Sequence, residues 1–185
     1  RVVLALLPFL TFAAPAVAGV VTVQKGGSIA TIQAGVDAAS PGDKVRVKKG
    51  TYQENVVIAA NKTGLRIEGK GAVLIDALPP GGAPAGPGIQ VLAENVSIKR
   101  IAVRNARWNA SQNGRGIEIT ADGFKAEKCT AIGCENAGFA VLGATGAKFN
   151  KCVARGCDDG FLLDDAGAVV LLKCSVVGTG RDGVN

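Results

Sequence analysis

Five glycines precede short apolar stretches at near-constant spacing: Gly88-Ile-Gln-Val, Gly116-Ile-Glu-Ile, Gly138-Phe-Ala-Val, Gly160-Phe-Leu-Leu and Gly183-Val. They stand 28, 22, 22 and 23 residues apart. Two more triplets follow at matching offsets: Phe124-Lys-Ala and Cys129-Thr-Ala in one unit, Ala147-Lys-Phe and Cys152-Val-Ala in the next. Each triplet reads in-out-in, the period of a strand with one buried face. A unit this short cannot bury its apolar side alone, so successive units must stack around a shared core. The repeat therefore predicts an all-β solenoid, a parallel β-helix of about 22-residue coils with three short strands per coil. In this register Ile89, Val91, Ile117, Ile119, Phe139, Val141, Phe161 and Leu163 point inward, while Gln90, Glu118, Ala140 and Leu162 face out.

The same scheme extends backwards through Val56-Val-Ile, Leu65-Arg-Ile and Val73-Leu-Ile, leaving residues 78–88 and 106–115 as loops inserted between coils. Ahead of the coils, residues 28–43 switch to helical spacing, with Ile29, Ile32 and Val36 on one face, Ser28 as the expected N-cap and Pro41-Gly42 as the stop. That helix is expected to cap the first coil. The far end carries no equivalent, and an uncovered coil is an unpaired edge, so the chain is expected to continue past Asn185.

Residues 1–18, RVVLALLPFLTFAAPAVA, carry one cation, an apolar run and an Ala-x-Ala pattern, which predicts a signal peptide followed by a β-helix domain over 19–185. The apolar run is too short to span a membrane, so the mature chain is expected outside the cytoplasm: secreted, periplasmic or at the cell surface. The sequence contains no histidine, which excludes His-based triads, His general bases and His-containing zinc sites from this stretch. The net charge of +6 falls to +5 without residues 1–18, whose only charged residue is Arg1. On an exported protein a basic excess favours polyanions such as acidic polysaccharides. No basic run is interleaved with aromatics, so nucleic acid is not an expected partner.

The segment from Thr31 to Ile58, TIQAGVDAASPGDKVRVKKGTYQENVVI, followed by LRIEGKG, resembles the N-terminal part of pectin methylesterases and related right-handed parallel β-helix proteins, chiefly through Gly50, Tyr52, Glu54, Asn55 and Val56. The coils from Gly88 onward are similar to the carbohydrate-binding and sugar-hydrolysis β-helix repeats of the pectate-lyase-like superfamily. This resemblance implies a right-handed fold and an acidic polysaccharide as substrate or ligand. It also points to GCDDGFLLDDAG, residues 156–167. In the esterases the matching segment supplies an Asp nucleophile, which makes Asp158 and Asp159 the candidate catalytic residues. The esterase's acid/base Asp, one coil earlier, would match Asn136, whose amide cannot transfer a proton. In pectate lyases, carboxylates on this face hold Ca²⁺ against a uronate, so Asp164 and Asp165 are candidate metal ligands and Ca²⁺ the candidate cofactor. The lyases' Arg-x-Pro-x-x-Arg pattern is absent from the sequence.

Each aspartate pair has a plainer reading too, since Asp caps turn N–H groups and tolerates unusual backbone angles. About five residues of strand place the pair centres some 15–20 Å apart, too far for one four-carboxylate site. Beside them, Arg107, Trp108 and Arg115 in the second inserted loop, with Arg155, form the candidate sugar-binding set, because an indole stacks on sugar rings and guanidinium groups pair with carboxylates. Cys129, Cys152 and Cys174 share one column of the repeat, Cys134 and Cys157 another. Stacked coils allow either buried thiols or, for Cys134 and Cys157, a disulfide. Three functions remain open on this scaffold: a polysaccharide-modifying enzyme, a non-catalytic sugar-binding protein, and a structural or adhesive solenoid.

Overall fold

The computed structural model describes residues 17–78, 86–108 and 113–185. Residues 1–16, where a signal peptide is expected, and the central parts of both inserted loops lie outside the described residues. The chain begins with β1 (Val20–Val23), α1 (Ile32–Ala38), β2 (Lys44–Gln53), β3 (Val56–Ile58) and β4 (Arg66–Asp76). Four further coils follow. They comprise β5 (Ile89–Val91), β6 (Ser97–Lys99) and β7 (Ala102–Arg104); β8 (Ile117–Ile119), β9 (Lys125–Glu127) and β10 (Thr130–Ile132); β11 (Ala137–Leu142), β12 (Lys148–Asn150) and β13 (Val153–Arg155); and β14 (Asp159–Asp164), β15 (Val170–Leu172) and β16 (Ser175–Val177).

Strands β3, β5, β8, β11 and β14 stack in parallel as one face. Strands β6, β9, β12 and β15 stack on the first half of β4 as a second face, and β7, β10, β13 and β16 stack on its second half as a third. This is the expected parallel β-helix. The register is the expected one as well: Ile117 pairs with Ile89 and Phe139, Ile119 with Val91 and Val141. These side chains are buried, and Leu163 in the last full coil packs against the same core from a half-buried position. Inside, Phe139 stacks on Phe161 at 4.9 Å, and Phe149 meets both rings edge-on at 5.5 and 5.4 Å. Such pairs contribute about 0.5–1.5 kcal/mol each beyond their buried area.

Two outward positions differ from expectation. Glu118 faces out yet is only 7% exposed, because Gln90 donates to its Oε1 at 2.9 Å and Arg115 to its Oε2 at 2.7 Å. Ala140, a methyl paired in register with the longer Glu118 and Leu162, is fully covered.

The repeat glycines have a steric cause. A Cβ added at Gly88, Gly116, Gly138 or Gly160 would lie within 3.0 Å of the carbonyl oxygen of the glycine one coil on. The coils approach here as closely as backbone allows, which only glycine permits.

The cap helix is shorter than expected, and its N-cap is Thr31, not Ser28: the Thr31 hydroxyl accepts from the Ala34 N–H at 3.1 Å. The two preceding helical donors are met from outside, the Ile32 and Gln33 N–H groups bonding the Glu54 carboxylate at 2.7 and 2.8 Å. A carboxylate at a helix start satisfies orphan donors and suits the dipole. Its neighbours work alike: Tyr52 is buried with its hydroxyl on Lys48 O at 2.9 Å, and Asn55 donates to Pro87 O at 2.6 Å. The motif around Tyr52, Glu54 and Asn55 thus joins the cap helix, the first coil and the first inserted loop. Among the described residues no helix is long and apolar enough to cross a membrane.

Candidate functional site: a charged corner between the third and first faces

The turns that carry the chain from the third face back to the first stack on one another. Glu135 N–H bonds Ala106 O at 3.0 Å, Asp158 N–H bonds Cys134 O at 3.3 Å, and Arg181 N–H bonds Asp158 O at 2.8 Å. This ladder places Arg107, Glu135, Asp158 and Arg181 along one edge in consecutive coils, about 4.8 Å per step. Arg107 Nη1 donates to Glu135 Oε1 at 2.6 Å, and the Trp108 N–H to Glu135 Oε2 at 2.8 Å. Those bonds, the Trp108 N–H foremost and then Arg107, hold the Glu135 carboxyl below the usual carboxylate range. The Trp108 side chain is 52% exposed. The two inserted loops touch at the same place, through an antiparallel bridge between Gly86 and Arg107.

Asp158 and Asp159 part company here. Asp158 is half exposed, 3.9 Å from Arg181. Asp159 is the first residue of β14, not a turn residue, and only 2% exposed. It accepts from Arg181 Nη2 at 3.1 Å and from the Asp182 N–H at 3.3 Å, both in the next coil. Strand register pairs Asp159 with Ala137, so the residue beside it one coil earlier is a methyl, with Asn136 adjoining. Among the described residues the buried Asn136 Oδ1 has no hydrogen-bond donor.

The other candidates divide. Arg107 and Trp108 stand on this edge, two coils from Asp158. Arg115 is turned inward onto Glu118 and is 13% exposed, so it supports the corner more than it presents a free guanidinium. Arg155 ends β13 on the third face, exposed, in the column that holds Arg104 and Ile132. Asp164 and Asp165 lie at the opposite end of β14, both exposed, with Asp165 at φ 49°. Among the described residues no group of three potential ligands gathers there or elsewhere. Two carboxylates supply fewer than the about six to eight oxygens that Ca²⁺ takes.

Sequence reasoning missed Glu135 and Arg181: Arg181 falls in the Asp158 column of the repeat, whereas Glu135 stands one residue ahead of that column and is brought beside Asp158 only by the backbone bond from the Asp158 N–H to Cys134 O. It also missed Asp76, which is buried beside Arg104. Burial would raise this carboxyl, but hydrogen bonds from Arg104, Asn105 and the Leu78 N–H outweigh that and hold it low. The five cysteines are free thiols, four of them buried, Cys134 and Cys157 included. The disulfide alternative for that pair is therefore absent, and both act as small apolar side chains of the core.

The solved structures similar to this chain share the coil. A pectin methylesterase variant in complex with a hexasaccharide superimposes with TM-score 0.52 at 15% identity, over 85% of this chain and 67% of that one. Rice weevil pectin methyl esterase gives 0.55 at 16%, over 90% and 67%. A rhamnogalacturonan lyase gives 0.54 at 12%, over 86% and 62%. A search of curated proteins found no relative. The family described as "Right handed beta helix region" matches residues 45–185. The chain belongs to that family and is a right-handed parallel β-helix.

Proposed function

We propose that this protein is exported and holds an acidic polysaccharide at the charged corner, with binding rather than ester hydrolysis as its role. The observation that carries this reading is the edge formed by Arg107, Glu135, Asp158 and Arg181, two adjacent carboxylates flanked by guanidinium groups, with the exposed Trp108 ring at one end. A uronate chain presents carboxylates that suit guanidinium groups, hydroxyls that suit carboxylates, and ring faces that suit indole. Leader-like residues 1–18 accord with export.

Hydrolysis is disfavoured by local chemistry. Asp159, the residue in the nucleophile position, is buried with its oxygens engaged, and the residues one coil earlier are an amide and a methyl, neither able to serve as general acid. The test compares Asp158→Asn, Asp159→Asn and Trp108→Ala with the parent protein, measuring binding and turnover of polygalacturonate with and without Ca²⁺. Weaker binding for Trp108→Ala and Asp158→Asn supports the corner. Unchanged binding in all three variants overturns it, and turnover abolished by Asp159→Asn restores the enzyme reading.

A further inference from the structure

The second face and the turn that follows it carry a concentration of cations that the charged corner does not use. The turn from the second to the third face is a single residue in the left-handed region: Arg100 (φ 55°), Lys128 (φ 55°), Lys151 (φ 56°) and Lys173 (φ 52°). They stack in consecutive coils, the Arg100 N–H on Glu127 O at 3.0 Å, Lys128 on Asn150 O at 2.9 Å and Lys151 on Leu172 O at 2.9 Å. Left-handed backbone favours glycine and asparagine and disfavours long side chains. The same chain obeys that preference at its next corner, where Asn105 (φ 59°), Gly133 (φ 59°), Gly156 (φ 62°) and Gly178 (φ 63°) fill the equivalent column. Backbone geometry therefore does not account for four basic residues in a row.

The adjoining face continues the pattern. Register stacks Lys44, Arg66, Ser97, Lys125 and Lys148 in one outward column. In the neighbouring outward column of the same face, and in the turn row beside it, the carboxylates among the described residues are Glu68 and Glu127, each already paired with lysines or arginine of this same surface. Lys125, Lys128, Lys148, Lys151 and Lys173 are exposed and have no carboxylate partner among the described residues. Ser97, the one short side chain in the cation column, opens shallow depressions of about 250 and 290 Å³ on either side, which share Ser97 and Lys99 as lining. These cations thus form a rigid lattice along the solenoid axis at about 4.8 Å per coil.

We propose that this basic face is a second docking surface, which takes a linear acidic polysaccharide laid along the solenoid axis. It goes beyond the corner reading and does not depend on it. Charge complementarity selects a polyanion. Among the described residues the face exposes no aromatic side chain to stack on bases, Phe149 of β12 being buried in the core, and the depressions beside Ser97 seat a ring between flanking cations.

The decisive variant is Lys128→Asn, Lys151→Asn and Lys173→Asn together, since asparagine keeps the left-handed backbone while removing three charges. Binding of polygalacturonate is measured against neutral dextran, duplex DNA and vesicles containing anionic lipid, over a series of salt concentrations. The parent protein should bind the polyuronate in preference to all three, less tightly as salt rises, and the triple variant should bind roughly tenfold or more weakly with a flatter salt dependence. Lys125→Gln with Lys148→Gln, on exposed strand positions, gives the same readout should the turn variant fail to fold. Parent-like affinity in a folded variant overturns the proposal, and so does tighter binding of DNA or vesicles than of polyuronate. Trp108→Ala and Asp158→Asn report separately on the corner: loss there with an unaffected lysine variant overturns the second surface alone, and the converse overturns the corner alone.

Discussion

The backbone N–H of Trp108 donates to the Glu135 carboxylate, 27 residues on and one coil along, at 2.8 Å. Through that bond the second inserted loop is held to the solenoid wall, and the exposed indole is fixed beside the charged edge. Because Trp108 is the single tryptophan of the chain, its fluorescence reports on this seat. Glu135→Gln should shift the emission while lowering stability by no more than about 1 kcal/mol, the usual ceiling for a partly exposed ion pair.

The same seat should respond to acid. Trp108 and Arg107 hold the Glu135 carboxyl below its ordinary value, so its contribution is complete above about pH 4.3, the unfolded reference. The contribution is lost as pH falls through the lowered folded value. A pH titration of Trp108 emission should therefore show a transition below pH ~4 that disappears in Glu135→Gln. A transition unchanged in that variant assigns it to another group.

Asp159 and Asp158 should differ in stability although they are neighbours. Asp159→Ala removes a buried acceptor and leaves Arg181 and the Asp182 N–H without it, a loss of about 1–3 kcal/mol. Asp158→Ala, at a half-exposed position, should stay within about 0.5 kcal/mol. Denaturant melts of the two variants decide this, and equal effects would mean that Arg181 does not cover Asp159 in solution.

Gly116→Ala tests why the repeat is marked by glycine. Its Cβ would press on Gly138 O, Cys134 Sγ and Ala131 Cβ, so relief requires the coils to separate. A loss of about 1–3 kcal/mol, the usual range for overpacking, should appear in the melt, whereas Gly133→Asn, facing open space at φ 59°, should be near neutral.

Thiol titration checks the core. Cys129, Cys134, Cys152 and Cys157 are buried, and Cys174 is part-exposed. Under native conditions at most Cys174 should react promptly, slowed because burial pushes its thiol up, with the other four released by denaturant. Five rapid thiols would contradict a closed solenoid.

The 22-residue period, the in-out-in triplets and the column of glycines were enough to specify the solenoid, its register and its inward side chains. Those signals are local and repeat, so each coil predicts the next. The motif around Tyr52, Glu54 and Asn55 was legible as a resemblance, but its task of meeting the α1 donors and the Pro87 carbonyl needed coordinates. The four aspartates of residues 156–167 could not be ranked from sequence, because burial depends on the following coil. Arg181 and Asp182 close over Asp159 from the coil that follows it, which is what buries that one carboxylate. Charge behaves similarly. The sequence determined a net excess of +6, but stacking 22 residues per turn decided that Arg100, Lys128, Lys151 and Lys173 form one row. A solenoid sorts residues by their phase in the repeat, so positions far apart in the chain become neighbours about 4.8 Å apart.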